Sequence, residues 1–274
     1  MKHSITIFLL LPIISIAQPN CNAFLYNGDT LQYQACKLVE GIDKKYYQFS
    51  KEYQEVMDEA LKICPYFAYA YREKGSAYIK SGDFITWKQL IDQAVKYAPL
   101  EYLSVRASLR YKFFADYEGT IEDINLLDSM IDYDIGSTSN GTYHLNVVKA
   151  LCYKKLGQKN EAIKILRKQI EVETYIGIFD YLHLGILYLE TGLYDEALVC
   201  FDKQEELNNL AENKYYKAIV LKNLGKVNSY INCLEEAKTL YSQDIKMHDP
   251  YNQLIDEIYM KDIENELITA YNIL

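Results

Sequence analysis

The chain has 274 residues, half of them hydrophobic and 24% charged, enough for one extended repeat domain or two small globular ones. Its 38 acidic against 29 basic side chains leave a net charge of −9, so polyanions are repelled, and nucleic acid and anionic membrane surfaces are poor partners. Six cysteines suit an oxidising compartment, yet a chain of this length builds its own core and does not need a disulfide scaffold.

Residues 1–17 read as a secretory signal peptide. Lys2 supplies the basic start, Ile5 to Ala17 is a mostly apolar run containing Pro12, and Ser15-Ile16-Ala17 offers small residues at a cleavage site. The run is shorter than the roughly 20 residues that span a bilayer. Cleavage after Ala17 takes Lys2 away and moves the net charge from −9 to −10. The expectation is therefore an exported protein, periplasmic or extracellular, with no membrane span after signal cleavage. Gln18, Pro19 and Asn20 precede Cys21 in place of the aliphatic and small residues of a lipoprotein signal, which argues against acylation of that cysteine.

Residues 18–33 form an N-terminal segment. Cys21 and Cys36 both lie near the mature N-terminus and are the candidate disulfide, a clip for this segment. Cys36 with Cys64 is the rival pairing, because antiparallel helices would bring those two together. Cys152, Cys200 and Cys233 fall inside helical patterns and read as small buried side chains.

From residue 34 to residue 243 the chain repeats itself. Gly75-Ser76-Ala77-Tyr78 leads to Ser81-Gly82-Asp83-Phe84, and Gly185-Ile186-Leu187-Tyr188 leads to Thr191-Gly192-Leu193-Tyr194. Ala150-Leu151-Cys152-Tyr153 leads to Leu156-Gly157-Gln158-Lys159, and Ala218 leads to Leu224-Gly225-Lys226-Val227. These residues resemble the tetratricopeptide repeat, a helix–turn–helix unit of about 34 residues. Copies begin near residues 34, 68, 101, 143, 178 and 211, and the one irregular interval holds a turn-rich insertion at 133–142 with Gly136, Ser137, Asn140 and Gly141. The resemblance implies an all-α, right-handed superhelical solenoid of about six repeats. Gly or Ala at the eighth repeat position, as at Gly75, Ala150, Gly185 and Ala218, lets paired helices approach. Gly82, Gly157, Gly192 and Gly225 end first helices in a conformation that costs other residues energy. The first copy is degenerate, keeping Gly41, Ala60 and Pro65. Tyr53, Trp87 and Tyr230 stand at the twentieth position, where the family favours Ala, so local repacking is expected there.

Residues 244–274 read as a cap, since stacked repeats need a polar outer end. Asp249-Pro250 breaks the pattern, and Tyr251, Leu254, Ile255, Ile258 and Tyr259 follow at helical spacing. Asp256, Glu257, Asp262, Glu264 and Glu266 are interleaved and expected mainly in solvent.

No motif for catalysis, metal or cofactor stands out. His144, His183 and His248 lack ligand partners at metal spacing, His183 reads as a partly exposed helix residue, and no phosphate loop or nucleophile elbow is present. The expectation is a non-enzyme without cofactor or metal. The family resemblance instead points to the inner groove, lined by first-helix positions. Carried over, these are Tyr69, Arg72 and Lys80, then Tyr102, Arg106, Lys112 and Phe113, then His144, Lys154 and Lys155, and finally Tyr215, Tyr216 and Lys222, with Glu73 and Glu212 also there. In an acidic chain with 27 tyrosines this set leans basic and aromatic, so a protein or peptide partner with an acidic or aromatic segment is expected. Ser76 and Leu109 replace the asparagines of the family's carboxylate clamp. The alternative reading is a glycan- or small-ligand-binding module of the cell envelope.

Overall fold

The computed structural model describes residues 18–172 and 176–272, so the expected signal peptide at 1–17 lies outside the described residues. The described residues form an all-α fold whose only β pairing is a single bridge between Ser137 and His144. The chain divides into two compact units, one ending at Ala98 and one beginning at Pro99.

The first unit holds α1 (Cys21–Tyr26), α2 (Thr30–Val39), α3 (Lys51–Ile63), α4 (Ala68–Ser81) and α5 (Phe84–Tyr97). Cys21 and Cys36 are joined by a disulfide that ties α1 to α2, while Cys64 is a free buried thiol. The disulfide sits in an apolar cluster with Val39, Ile42, Met57, Ala60 and Phe67. Helix starts follow side-chain caps: Ser50 Oγ accepts from Tyr53 N at 3.2 Å, and Asp83 Oδ1 from Thr86 N at 3.0 Å. The first copy departs from its expected register. α2 ends at Val39 and Gly41 takes φ +73°, so Gly41 serves a turn and not a helix–helix contact. A single 3-10 turn at Ile42–Lys44 and the segment to Ser50 replace the tight turn seen in other copies.

The second unit contains four hairpins and a terminal helix. The pairs are α6 (Pro99–Leu109) with α7 (Tyr117–Met130), α8 (Leu145–Lys155) with α9 (Lys159–Val172), α10 (Asp180–Glu190) with α11 (Tyr194–Leu207), and α12 (Ala211–Asn223) with α13 (Val227–Ser242). α14 (Met260–Tyr271) packs on α13 through Ile263, Leu267 and Ala270. Short turns force each pair antiparallel, and neighbouring hairpins stack to bury what one alone would expose. Gly157, Gly192 and Gly225 take φ between +69° and +79° at equivalent turns. In the hairpin of α6 and α7 the same register falls on Ala115, at φ +50°, directly after a π-helical turn at Arg110–Phe114. The insertion is an ordered loop: Thr138 N donates to Tyr143 O at 2.8 Å, and Asp134 pairs with His144 at 2.6 Å.

The cap differs from its expected form. Residues 251–259 are not helical, and α14 begins only at Met260, where Tyr259 N donates to Asp262 Oδ2 at 2.8 Å. Pro250 and the left-handed Asp256, at φ +72°, hold the preceding stretch out of a helix.

Candidate partner-binding groove

The expected groove residues of the first unit cluster on one face of α4. Tyr69 is buried and Arg72 half-buried, the latter ion-paired to the buried Glu73. Glu73 also accepts from Tyr53 Oη at 2.8 Å and from Gln48 Nε2 at 3.0 Å. Tyr53 is one of the aromatics at a position that favours Ala; its hydroxyl reaches the groove and finds a carboxylate there. Lys80 donates to Gln48 Oε1 at 3.0 Å and lies 5.7 Å from the centre of the Phe49 ring, which stacks on the exposed Tyr47.

In the second unit the expected Lys112, Lys154 and Lys222 stand on three of the four hairpins, and the chain's own C-terminal segment answers each of them. Lys112 pairs with Asp249 at 2.6 Å, and its ammonium lies 5.6 Å from Phe113 and 5.5 Å from Tyr251. Lys154, only 7% exposed in its side chain, meets Asp256 and, at 3.1 Å, Glu190. His183 of α10 adds Nδ1 to Asp256 Oδ2 at 2.8 Å. Lys222 pairs with Glu266, which also accepts from Tyr230 Oη at 2.7 Å. The segment leaves α13 beside α12, where Ile245 O accepts from Ala211 N at 3.0 Å and Met247 N donates to Glu212 Oε2 at 3.0 Å. It runs to Lys112 at Asp249, returns to Lys154 and His183 at Asp256, and reaches Lys222 through α14. Met247, Leu254 and Ile258 are buried along the way.

Two expectations are corrected by these contacts. Asp256 and Glu266 do not face solvent: each carboxylate is enclosed and ion-paired. His183 is not partly exposed but fully buried. Arg106 turns to Asp123 of α7, with Nε to Oδ2 at 2.9 Å and Nη2 to Oδ1 at 2.6 Å. Tyr102 is buried, Phe113 is partly exposed, and Tyr215 is half-buried edge-on to Tyr216.

Electrostatics fit an enclosed acidic ligand. Burial pushes the Asp256 carboxyl up, but the His183 hydrogen bond and the Lys154 charge outweigh it and hold the group below its ordinary value. Asp249 is likewise held low by Lys112 against burial. Burial raises the Glu212 carboxyl to about 7 against the hydrogen bond that it accepts from Met247 N. Tyr143 Oη, His183 and Asp256 line up with a 3.3 Å hydroxyl-to-Nε2 distance. Burial pushes the Tyr143 phenol far up, so it stays protonated at neutral pH and its hydroxyl serves as a hydrogen-bond partner of His183. A cavity of about 190 Å³ opens beside this tyrosine, lined by Lys112, Phe113, Asn140, Thr142, Asp249 and Leu254. That volume is below the roughly 300–1,000 Å³ of ordinary small-molecule sites. Among the described residues no group of three or more His, Cys, Asp or Glu is placed to hold a metal, and no helix is long and apolar enough to cross a membrane.

Comparison with known proteins agrees with the repeat. The tetratricopeptide repeat family profile matches residues 143–174 and 181–209. No curated protein matches the chain. Among solved structures, PilF of Pseudomonas aeruginosa superposes with a TM-score of 0.59 at 12% identity, over 88% of this chain and 99% of that one. PilW, described as a widely conserved type IV pilus biogenesis factor, gives 0.55 at 15% identity, over 79% and 94%. BtubC from P. vanneervenii gives 0.55 at 15% identity, over 82% and 96%. At such identities the likeness is one of fold. The two matched stretches, residues 143–174 and 181–209, take in the hairpins of α8–α9 and α10–α11, so the profile match and the helical hairpins coincide.

Proposed function

We propose that the chain is an exported, non-catalytic scaffold that binds a partner protein through the inner faces of its repeats. The observation that carries this reading is the ladder of Lys112, Lys154 and Lys222, which project from three of the second unit's four hairpins onto one acidic segment, with His183 joining from the remaining one. A surface that reads three carboxylates spaced along several repeats suits an extended chain better than a compact substrate. Tyr102, Phe113 and Tyr215 hold inner-face repeat positions in the second unit, and Tyr69 and Arg72 hold them in the first; the half-open Arg72, Phe113 and Tyr215 are the ones a partner could touch directly. Arg106 spends one edge of its guanidinium, Nε and Nη2, on Asp123, which holds it against α7. The likeness in fold to PilW, a type IV pilus biogenesis factor, is consistent with an assembly role but carries no partner across.

The test is crosslinking mass spectrometry on native cells expressing the tagged full chain, beside a Lys80→Glu, Phe113→Ala variant. One captured protein whose crosslinks fall on inner faces and vanish in the variant is the expected result. Capture that survives the variant would move the interface to another face, and no specific capture would overturn the scaffold reading.

A further inference from the structure

The second unit's groove is not empty: residues 245–259 lie in it, and the manner of their attachment is that of a ligand. The segment's backbone is tied to α12 at its start, where Ile245 O accepts from Ala211 N and Met247 N donates to Glu212 Oε2, and its further ties are chiefly side chains. Two of its residues are recognised by charge seven positions apart, Asp249 by Lys112 and Asp256 by Lys154 with His183. Tyr251 adds its ring to the Lys112 ammonium while staying 78% exposed.

The fit is also imperfect. Asp256 sits at φ +72° and Asp244 at +62°, a backbone region that costs residues other than glycine. On the groove floor Glu212 is fully buried, yet its Oε1 has no hydrogen-bond partner. A segment permanently built into a core would be expected to satisfy that oxygen.

We propose that residues 245–259 are a tethered ligand, and that a partner protein enters the same groove by displacing them with an acidic, tyrosine-bearing segment of its own. The chemistry follows from the rungs: a carboxylate for Lys112, a tyrosine two residues on, and a second carboxylate seven residues after the first for Lys154 and His183. Apolar residues for the sites of Met247 and Leu254 complete the requirement. The inference rests on the scaffold reading and specifies its partner. A tethered occupant lowers the apparent affinity of any competitor by the fraction of time the groove stands open, so only a segment that makes these contacts better, or one presented at high local concentration, gains entry.

The probe is a fluorescent peptide with the sequence of residues 245–259, titrated into the full-length chain. It is compared with Asp249→Asn and Tyr251→Ala chains, whose segment should release more readily; the second changes an exposed side chain and leaves the core intact. Hydrogen exchange of 245–259 is followed in the same samples, and far-UV circular dichroism reports retained helix. The expected result is that the peptide binds both variants about tenfold more tightly than the parent chain. It should accelerate exchange of the chain's own segment, and a peptide carrying Asp249→Asn and Asp256→Asn should not bind. Failure of the peptide to bind variants whose segment exchanges faster would overturn the proposal, as would equal binding of the neutralised peptide. An unchanged, fully protected segment in both variants would overturn it as well, by making 245–259 a fixed part of the core. Because the probe is the chain's own sequence, this result is independent of whether cells yield a crosslinked partner.

Discussion

Gly75 and Gly185 occupy the same repeat position, and the structure assigns them opposite responses to a single added methyl. A Cβ on Gly75 would lie 3.5 Å from Trp87 Cδ1 and 3.6 Å from Leu90 Cβ, ordinary contact distances. A Cβ on Gly185 would lie 2.7 Å from Phe201 Cε1 and 2.9 Å from Cδ1. Phe201 is fully buried, so its ring cannot swing into solvent to make room. Both glycines are inside helices, where Gly→Ala gains about 0.5–1 kcal/mol of helix propensity. Gly75→Ala should keep that gain. In Gly185→Ala it is opposed by overpacking of about 1–3 kcal/mol, leaving a net loss of about 1–2 kcal/mol. Urea unfolding of each variant measures the totals, and hydrogen exchange across 180–207 shows whether the loss is local, as expected where repeats contact only their neighbours. Phe201→Leu should couple favourably with Gly185→Ala in a double-mutant cycle, since it removes the struck ring edge. Equal stability of the two alanine variants, or no coupling to Phe201, would refute the packing argument.

Three further outcomes follow from named features. Ala115→Gly should stabilise the second unit by about 1 kcal/mol, because Ala115 holds φ +50° where the sibling turns use glycine; thermal unfolding checks it. Glu212, raised from 4.5 to about 7 in the folded protein, binds its proton more tightly there than in the unfolded chain, so its burial costs nothing below pH 4.5 and progressively more up to pH 7. Glu212→Gln should therefore gain stability relative to the parent as pH rises from 5 to 8, by at most about 3 kcal/mol, in paired urea titrations. Asp249 and Asp256, held low, act with the opposite sign: their contribution is complete above the unfolded value near 3.8 and is lost as pH falls through their folded values. Replacing both Cys21 and Cys36 by serine opens a loop whose ends are 15 residues apart and should cost the first unit about 3 kcal/mol, read from its unfolding midpoint under oxidising conditions.

The repeat was legible because its signals are local. Four turn glycines at one register mark where each first helix ends, and all four take the left-handed backbone that the pattern implies. Gly41 shows the limit of such reading. It matches the small-residue position of a first copy by count alone, but the helix before it stops at Val39 and the glycine serves a turn. The basic, aromatic character of the inner face was also readable. Its occupant was not, because Lys112 and Asp249 are 137 residues apart and Lys154 and Asp256 are 102 apart. A period of 3.6 residues reports which side of a helix is apolar and says nothing of which distant carboxylate a lysine will meet. One signal was present all the same. A groove that calls for an acidic, tyrosine-bearing segment and a tail carrying Asp249, Tyr251 and Asp256 belong to one sequence.

The departures from the repeat pattern fall where that polar network sits. Tyr53 and Tyr230 both stand at a position that favours alanine, and each sends its hydroxyl to a groove carboxylate, Glu73 in one unit and Glu266 in the other. Alanine there would pack the hairpin more simply but leave those carboxylates short of a donor. Trp87, the third departure, is a buried indole that packs across the hairpin beside Gly75 and fills the space between the two helices. Local rules of a fold are broken where something else must be satisfied, so the breaks locate the competing demand. In Trp87 the demand is volume. In the two tyrosines it is a carboxylate held on an inner face, which is the same chemistry that holds residues 245–259 in place.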